Sequence, residues 1–192
     1  MITDDSQDSD YLIKSILTPL ANEQEEQTLP QIVKVNVREI SEISVTSLKN
    51  ILEIGSAIGY SSLVMAESTP SNVRITTIEK RKDMYKVAKE NINQSKYKDK
   101  VKIIEGDARD VIPELEEKYD FIFLDAAKGH YLEFFNDCTK KLNDEGIIVS
   151  DNVLYKGMIA SDELVIRRKK TIVKRMRNYL EYISDLDGYI TS

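Results

Sequence analysis

Ile51-Leu52-Glu53-Ile54-Gly55-Ser56-Ala57-Ile58-Gly59 decides how this chain is read. An apolar run, broken only by Glu53, enters a glycine turn, and helical spacing resumes beyond it. Outward from this unit the pattern repeats. Strands are expected over about 50–54, 73–78, 101–105, 119–124 and 146–150. Helices are expected between and after them, over about 59–68, 81–95, 108–116, 131–142 and 161–182. Strands that read as continuous apolar runs, such as Phe121-Ile122-Phe123-Leu124, belong to a parallel sheet covered on both faces. Right-handed crossovers then predict an α/β, doubly wound, mostly parallel sheet with helices on both faces. Ligands of such sheets bind outside the carboxyl ends of the strands. Gly55, Glu79, Asp107, Asp125, Asp151 and Asn152 all fall at those ends.

Before the first strand, Tyr11, Leu12, Ile16, Leu17 and Leu20 recur at helical spacing. Asn36-Val37-Arg38-Glu39 reads as a capping box opening a second helix. The expected organisation is one domain over 1–192, with a helical segment over about 8–48 and the sheet core over about 50–192. With 192 residues, 41% of them hydrophobic, the chain can build one sizeable core. A net charge of −6 excludes a uniformly basic nucleic-acid binder while leaving room for a local basic patch. The single cysteine, Cys138, cannot form an internal disulfide. With an acidic, polar N-terminus and no apolar run of membrane-spanning length, this points to a cytoplasmic protein without a membrane partner.

Two strand tips carry oxygen ligands. Phe121–Leu124 runs into Asp125, and Ile147-Ile148-Val149-Ser150 runs into Asp151-Asn152. Two carboxylates and an amide suit a hard divalent cation such as Mg²⁺. On the other side, Gly55-Ser56-Ala57-Ile58-Gly59 is G-x-x-x-G rather than G-x-G-x-x-G, a turn that still lets a ligand approach the backbone. Glu79, ending the second strand, can accept from ribose hydroxyls, and Asp107 after the third can contact an adenine amino group. The combination suggests an enzyme that holds a nucleotide-like cofactor beside a metal.

Leu52-Glu53-Ile54-Gly55-Ser56-Ala57-Ile58-Gly59-Tyr60-Ser61 resembles the S-adenosylmethionine loop of class I methyltransferases, which have a Rossmann-like fold. Leu124-Asp125-Ala126-Ala127-Lys128-Gly129-His130-Tyr131 and Ser150-Asp151-Asn152-Val153-Leu154 resemble the two metal motifs of the metal-dependent O-methyltransferases related to catechol and caffeoyl-CoA O-methyltransferases. The resemblance runs from about Leu29 to Tyr155. It implies S-adenosyl-L-methionine as methyl donor, with Glu79 on the ribose, Asp107 and Ala108 on the adenine, Ser62 at the methionine end, and Gly55 in the loop. Ile32, in Leu29-Pro30-Gln31-Ile32, is implied as a further cofactor contact. Asp125, Asp151 and Asn152 are implied as ligands of Mg²⁺ or Mn²⁺, with Asp125 also in the catalytic and cofactor sets. Lys128 matches the family's catalytic lysine; a nearby cation would favour its neutral form, so it can act as general base. The deprotonated acceptor oxygen then attacks the sulfonium methyl. His130 stands where Gln is expected and reads as a helix-start surface residue.

The acceptor is read from the last helix and from the resemblance. Arg167, Arg168, Lys169, Lys170, Lys174, Arg175 and Arg177 form a dense basic stretch. It is either a solvated face balanced by Asp162, Glu163 and Glu181 or a surface for phosphates. The chain is most similar to the bacterial branch that methylates 5-hydroxyuridine in the tRNA anticodon loop to 5-methoxyuridine, and the resemblance implies a homodimer. The vicinal C4 and C5 oxygens of that base could chelate one metal ion, as a catechol does. A small-molecule catechol or phenylpropanoid O-methyltransferase is the alternative. A non-catalytic RNA-binding protein on the same scaffold is a further one. Relatives continue into an antiparallel strand pair. This sequence ends at Gly188-Tyr189-Ile190-Thr191-Ser192, near the start of the first such strand, so an apparently truncated pair and an exposed sheet edge are expected.

Overall fold

The protein is described by a computed structural model over residues 48–186. The two expected N-terminal helices, Ile32 with its Leu29–Gln31 neighbours, and Gly188–Ser192 lie outside the described residues. Within them the elements are β1 (Asn50–Ile54), α1 (Tyr60–Ser68), β2 (Arg74–Glu79), α2 (Lys82–Gln94), β3 (Val101–Glu105), α3 (Ala108–Glu114), β4 (Tyr119–Leu124), α4 (Tyr131–Lys141), β5 (Leu142–Ser150) and α5 (Lys170–Ser184). Short 3-10 turns occupy Lys128–His130, Asp162–Leu164 and Arg167–Lys169.

The five strands form one sheet in the order β3-β2-β1-β4-β5, and every pairing is parallel. The chain winds outward from β1 to β3, then returns to lay β4 on the free side of β1. The switch point of the doubly wound sheet therefore lies between β1 and β4, where Ile54 pairs with Leu124. Strand alternation sorts the core into two faces. Leu52, Ile54, Ile122 and Leu124 pack on one side with α3, α4 and α5 through Ile112, Phe135 and Tyr179. Ile51, Phe121 and Phe123 pack on the other with α1 and α2 through Val64, Met65 and Ile92. A parallel sheet covered on both faces is what the apolar runs require.

Two boundaries differ from expectation. β5 begins at Leu142, not near Gly146, because Leu142 pairs with Tyr119 ahead of an irregularity in the ladder. Glu145 takes a left-handed conformation (φ 65°) there, so the polar Asn143-Asp144-Glu145 stretch bends within the strand. The single helix expected over 161–182 is instead two 3-10 turns followed by α5. Val165 and Ile166 are extended between those turns, a conformation that β-branched side chains favour.

Candidate functional site

The loop after β1 is built by left-handed backbone. Gly55 (φ 105°), Ala57 (φ 46°) and Gly59 (φ 83°) turn the chain from strand to helix within five residues. A Cβ on Gly59 would touch Ala88 of α2 at 3.4 Å, so this glycine also lets two helices approach. The amides of Gly55 and Ser56 donate to the carbonyl of Ile78 at 3.0 and 3.2 Å. Glu79, 8% exposed, ties the loop to β2. One of its carboxylate oxygens accepts from the Ala57 amide at 2.8 Å and the other from the Arg81 amide at 2.7 Å. Each oxygen retains a further lone pair, which two adjacent hydroxyls of a ribose could use.

Beneath the loop lies a carboxylate whose role the sequence reading missed. Glu53 is fully buried in β1 and accepts from the hydroxyls of Ser61, Ser62 and Thr77. Burial pushes its carboxyl above the ordinary value; the three hydroxyls oppose that shift and the nearby Glu79 adds to it. Ser62, read as a contact for the methionine end, is thus drawn into this cluster. The signal was present as an acid inside an apolar run with hydroxyl residues eight, nine and 24 positions on.

Asp107 caps α3, accepting from the Arg109 amide, and its carboxylate also pairs with Arg109 at 2.6 Å and Lys80 at 2.7 Å. These partners, Arg109 first, hold its carboxyl well below the usual range. Ala108 follows as a buried first residue of α3. The adenine reading thus falls on a carboxylate already engaged by two cations. The chemistry of the loop suits a nucleoside ligand in one further respect. The Ser56 hydroxyl is buried and, among the described residues, has no hydrogen-bond partner. It sits in the glycine turn itself, and a buried polar atom left unpaired is costly.

Asp125 and Asp151 end neighbouring strands. Leu124 pairs with Ser150, the Asp125 amide donates to Ile54 at 3.0 Å, and the Asp151 amide donates to Leu124 at 2.9 Å. Asn152 follows in a left-handed conformation (φ 55°), exposed at the same edge. Among the described residues no group of three or more His, Cys, Asp or Glu side chains gathers as a metal site. The candidate set instead has two acids and one amide, an oxygen-only donor set that suits a hard cation retaining several waters. The buried phenol of Tyr131 donates to the carbonyls of Leu124 and Asp151, each at 3.0 Å, and so joins both strand tips. Burial first, then the charges of Asp125 and Asp151, raise its ionisation well above the ordinary value, which keeps it a donor.

Lys128 lies in the 3-10 turn between β4 and α4, its side chain 14% exposed. Its Nζ is 4.0 Å from Asp125 Oδ1 and 5.6 Å from the centre of the Tyr131 ring. His130 pairs with Glu133 at 2.9 Å. Cys138 is fully buried, and burial pushes its thiol up, which makes it unreactive.

The basic stretch divides into two kinds of residue. Arg175 donates to the Gly129 carbonyl at 3.1 Å. Arg177 donates to the carbonyls of Met158 and Ile159 and pairs with Asp162 at 2.7 Å. Lys169 stacks its ammonium over Tyr155. Arg167, Arg168, Lys170 and Lys174 are exposed, and Lys170 and Lys174 line an open groove of about 420 Å³ with Asp162, Arg177 and Asn178.

Comparison with known proteins places this arrangement. The model of the O-methyltransferase family matches residues 9–184. A catechol O-methyltransferase of Niastella koreensis is 36% identical over 118 residues, 59% of this chain and 53% of that protein. The Bos taurus catechol O-methyltransferase is 31% identical over 146 residues, 72% of this chain and 53% of that protein. Among solved structures, a Staphylococcus aureus protein named as a candidate caffeoyl-CoA O-methyltransferase superposes with a TM-score of 0.70 at 34% identity, covering 80% of this chain and 78% of that one. The S-adenosylhomocysteine-bound methyltransferase PaMTH1 of Podospora anserina superposes with a TM-score of 0.68 at 27% identity, covering 74% and 65%. The chain spans about half the length of the curated relatives it matches. A match over most of the sequence, on a sheet shared with solved O-methyltransferases, makes this chain a member of the O-methyltransferase family.

Proposed function

We propose that the protein methylates a hydroxyl group with S-adenosyl-L-methionine as donor, using a divalent cation, Mg²⁺ or Mn²⁺, at the tips of β4 and β5. The observation that carries this reading is the convergence of Asp125 and Asp151 on adjacent strands, with Lys128 beside Asp125. Asp125, Asp151 and Asn152 would hold the cation. When bound, the cation would supply Lewis-acid chemistry that favours loss of a proton from the acceptor hydroxyl. Lys128 would take that proton as general base. Glu79 and the turn from Gly55 to Gly59 hold the donor, and Tyr131 keeps the two acid-bearing tips in register. Holding both reactants in line supplies much of the acceleration such a site can give.

For the acceptor we favour 5-hydroxyuridine in a tRNA anticodon loop, converted to 5-methoxyuridine. Its adjacent C4 and C5 oxygens match a chelating site, and a loop base can be splayed into a pocket. Exposed Arg167, Arg168, Lys170 and Lys174 supply cations for the flanking phosphates. A second reading, a small catechol or phenylpropanoid acceptor, is favoured by the names of the relatives. The two separate in a competition assay. tRNA bearing 5-hydroxyuridine and a catechol, 3,4-dihydroxybenzoate, share one reaction with labelled S-adenosylmethionine, with or without chelator. Metal-dependent label in the RNA supports the first reading. Label in the catechol alone supports the second and removes the first.

A further inference from the structure

The basic stretch contains an exposed residue whose guanidinium bonds back to the loop after β4. We infer that Arg175 is a positioning residue for Lys128, holding the 3-10 turn that carries it; this rests on the reading of Lys128 as the base. Lys128, Gly129 and His130 make up a turn of one short cycle, closed by the His130 amide on the Ala127 carbonyl at 2.9 Å. No side chain caps its start. A 3-10 turn this short has poor internal hydrogen bonding, so its orientation must be set from outside. The Nη1 of Arg175 reaches across 46 residues of sequence to the Gly129 carbonyl, in the peptide that joins Gly129 to His130, one residue beyond Lys128.

What Arg175 is anchored to gives the contact its leverage. α5 buries Val173, Met176, Tyr179 and Ile183 in the core beneath the sheet. The Tyr179 hydroxyl is 2.6 Å from Ser150 Oγ, at the last residue of β5 before Asp151. The helix that holds the Lys128 turn is thus referenced to the strand tip that carries Asp151. Arg177, half a turn on, holds the segment after β5 through the carbonyls of Met158 and Ile159. The two guanidiniums brace the loops after β4 and β5 from one rigid element. A planar guanidinium with a charge-assisted bond to a carbonyl suits this role better than a flexible ammonium. Gly129 contributes no special shape, since a Cβ there would meet Arg175 Nη1 at an ordinary 3.5 Å.

The test uses the full chain as wild type, Arg175→Met, Arg175→Lys, Glu181→Gln and Lys128→Met. Two readouts are taken. The first is hydrogen exchange of the segment over 126–131, without donor, metal or acceptor. The second is methyl transfer from S-adenosylmethionine with Mg²⁺ to 3,4-dihydroxybenzoate and to an anticodon stem-loop bearing 5-hydroxyuridine. Arg175→Met is expected to speed exchange in that segment. It should lower kcat about 10- to 100-fold on whichever acceptor turns over, the scale of a misplaced catalytic group. KM for donor and acceptor should stay within about twofold. Arg175→Lys, with one donor of similar reach, should recover part of the loss, and Glu181→Gln, an exposed change on the same helix, should leave exchange and kcat unchanged. Unchanged exchange in Arg175→Met overturns the inference whatever the assay gives. So does a higher KM for the stem-loop with kcat intact, which would make Arg175 a phosphate contact. A Lys128→Met protein with wild-type kcat sinks the reading of Lys128 as base, while the exchange data still report whether Arg175 holds the turn.

Discussion

A Cβ placed on Gly55 would lie 2.0 Å from the carbonyl oxygen of Asp125. The contact spans the switch point of the sheet, so the turn that would take the donor and the strand tip that would take the metal touch through backbone. Gly55→Ala therefore meets both this overlap and an unfavourable φ of 105°. Backbone strain alone should cost roughly 1–3 kcal/mol, before the overlap is relieved. Gly129→Ala, with only a 3.5 Å contact, should be close to neutral. Urea unfolding of both variants checks this, and equal stabilities would contradict it. Calorimetric titration with S-adenosylhomocysteine should show binding lost in Gly55→Ala and kept in Gly129→Ala.

Tyr131→Phe removes the donor shared by Leu124 and Asp151. Leu124 still accepts from the Asp151 amide, so the loss should fall near about 1 kcal/mol. For a chain of this size that is a drop in Tm of about 2–4 °C. With the tips less tightly joined, Mn²⁺ should bind more weakly, measured by electron paramagnetic resonance of free Mn²⁺. Unaltered Mn²⁺ affinity would show that the phenol serves stability alone.

The strands were legible because they are buried on both faces. Phe121–Leu124 and Ile147–Val149 can be nothing else within a short segment. The ends of those strands then collected Glu79, Asp125 and Asp151 on one edge without any further assumption. What was not legible depends on distant partners. Leu142 joins β5 only because Tyr119 lies opposite it, and the local sequence Asn143-Asp144-Glu145-Gly146 reads as a turn. Arg175 reads as one more surface cation until its bond to Gly129 is seen. Likewise the helix expected from Ser161 onward yields to extended Val165 and Ile166, so that α5 starts only at Lys170.

Glu53 should give the stability curve a definite slope. Burial raises its carboxyl in the folded protein above the ordinary value of 4.5, so the folded state holds that proton more tightly than the unfolded chain. Its contribution is greatest at pH below that ordinary value and falls as pH rises through the folded-state value. Glu53→Gln removes the slope. The unfolding free energy of wild type minus that of the variant should decline as pH rises above 4.5, by at most about 1.4 kcal/mol per pH unit, and level off above the folded-state value. A difference independent of pH would mean that the hydroxyls of Ser61, Ser62 and Thr77 fully offset burial.

The cations on and before α5 should separate by role. Lys170→Ala and Lys174→Ala should weaken binding to an anticodon stem-loop and each reduce the salt slope by about 1, with little effect on stability. Arg177→Ala should instead lower Tm, because it releases Met158, Ile159 and Asp162. Filter binding at several salt concentrations and thermal melts distinguish the two groups. Unaltered salt slopes in both lysine variants would assign the groove between Asp162 and Asn178 to something other than phosphate.

The central claim is metal-dependent methyl transfer at the tips of β4 and β5, and its most direct test is nucleoside mass spectrometry. tRNA bearing 5-hydroxyuridine, from a strain lacking this protein, is incubated with the full chain, S-adenosylmethionine and Mg²⁺, then digested. The account predicts conversion of 5-hydroxyuridine to 5-methoxyuridine, abolished by chelator and by Asp125→Ala, and reduced about 100- to 10,000-fold in rate by Lys128→Met. Undiminished conversion in chelator, or in Asp125→Ala, would contradict it.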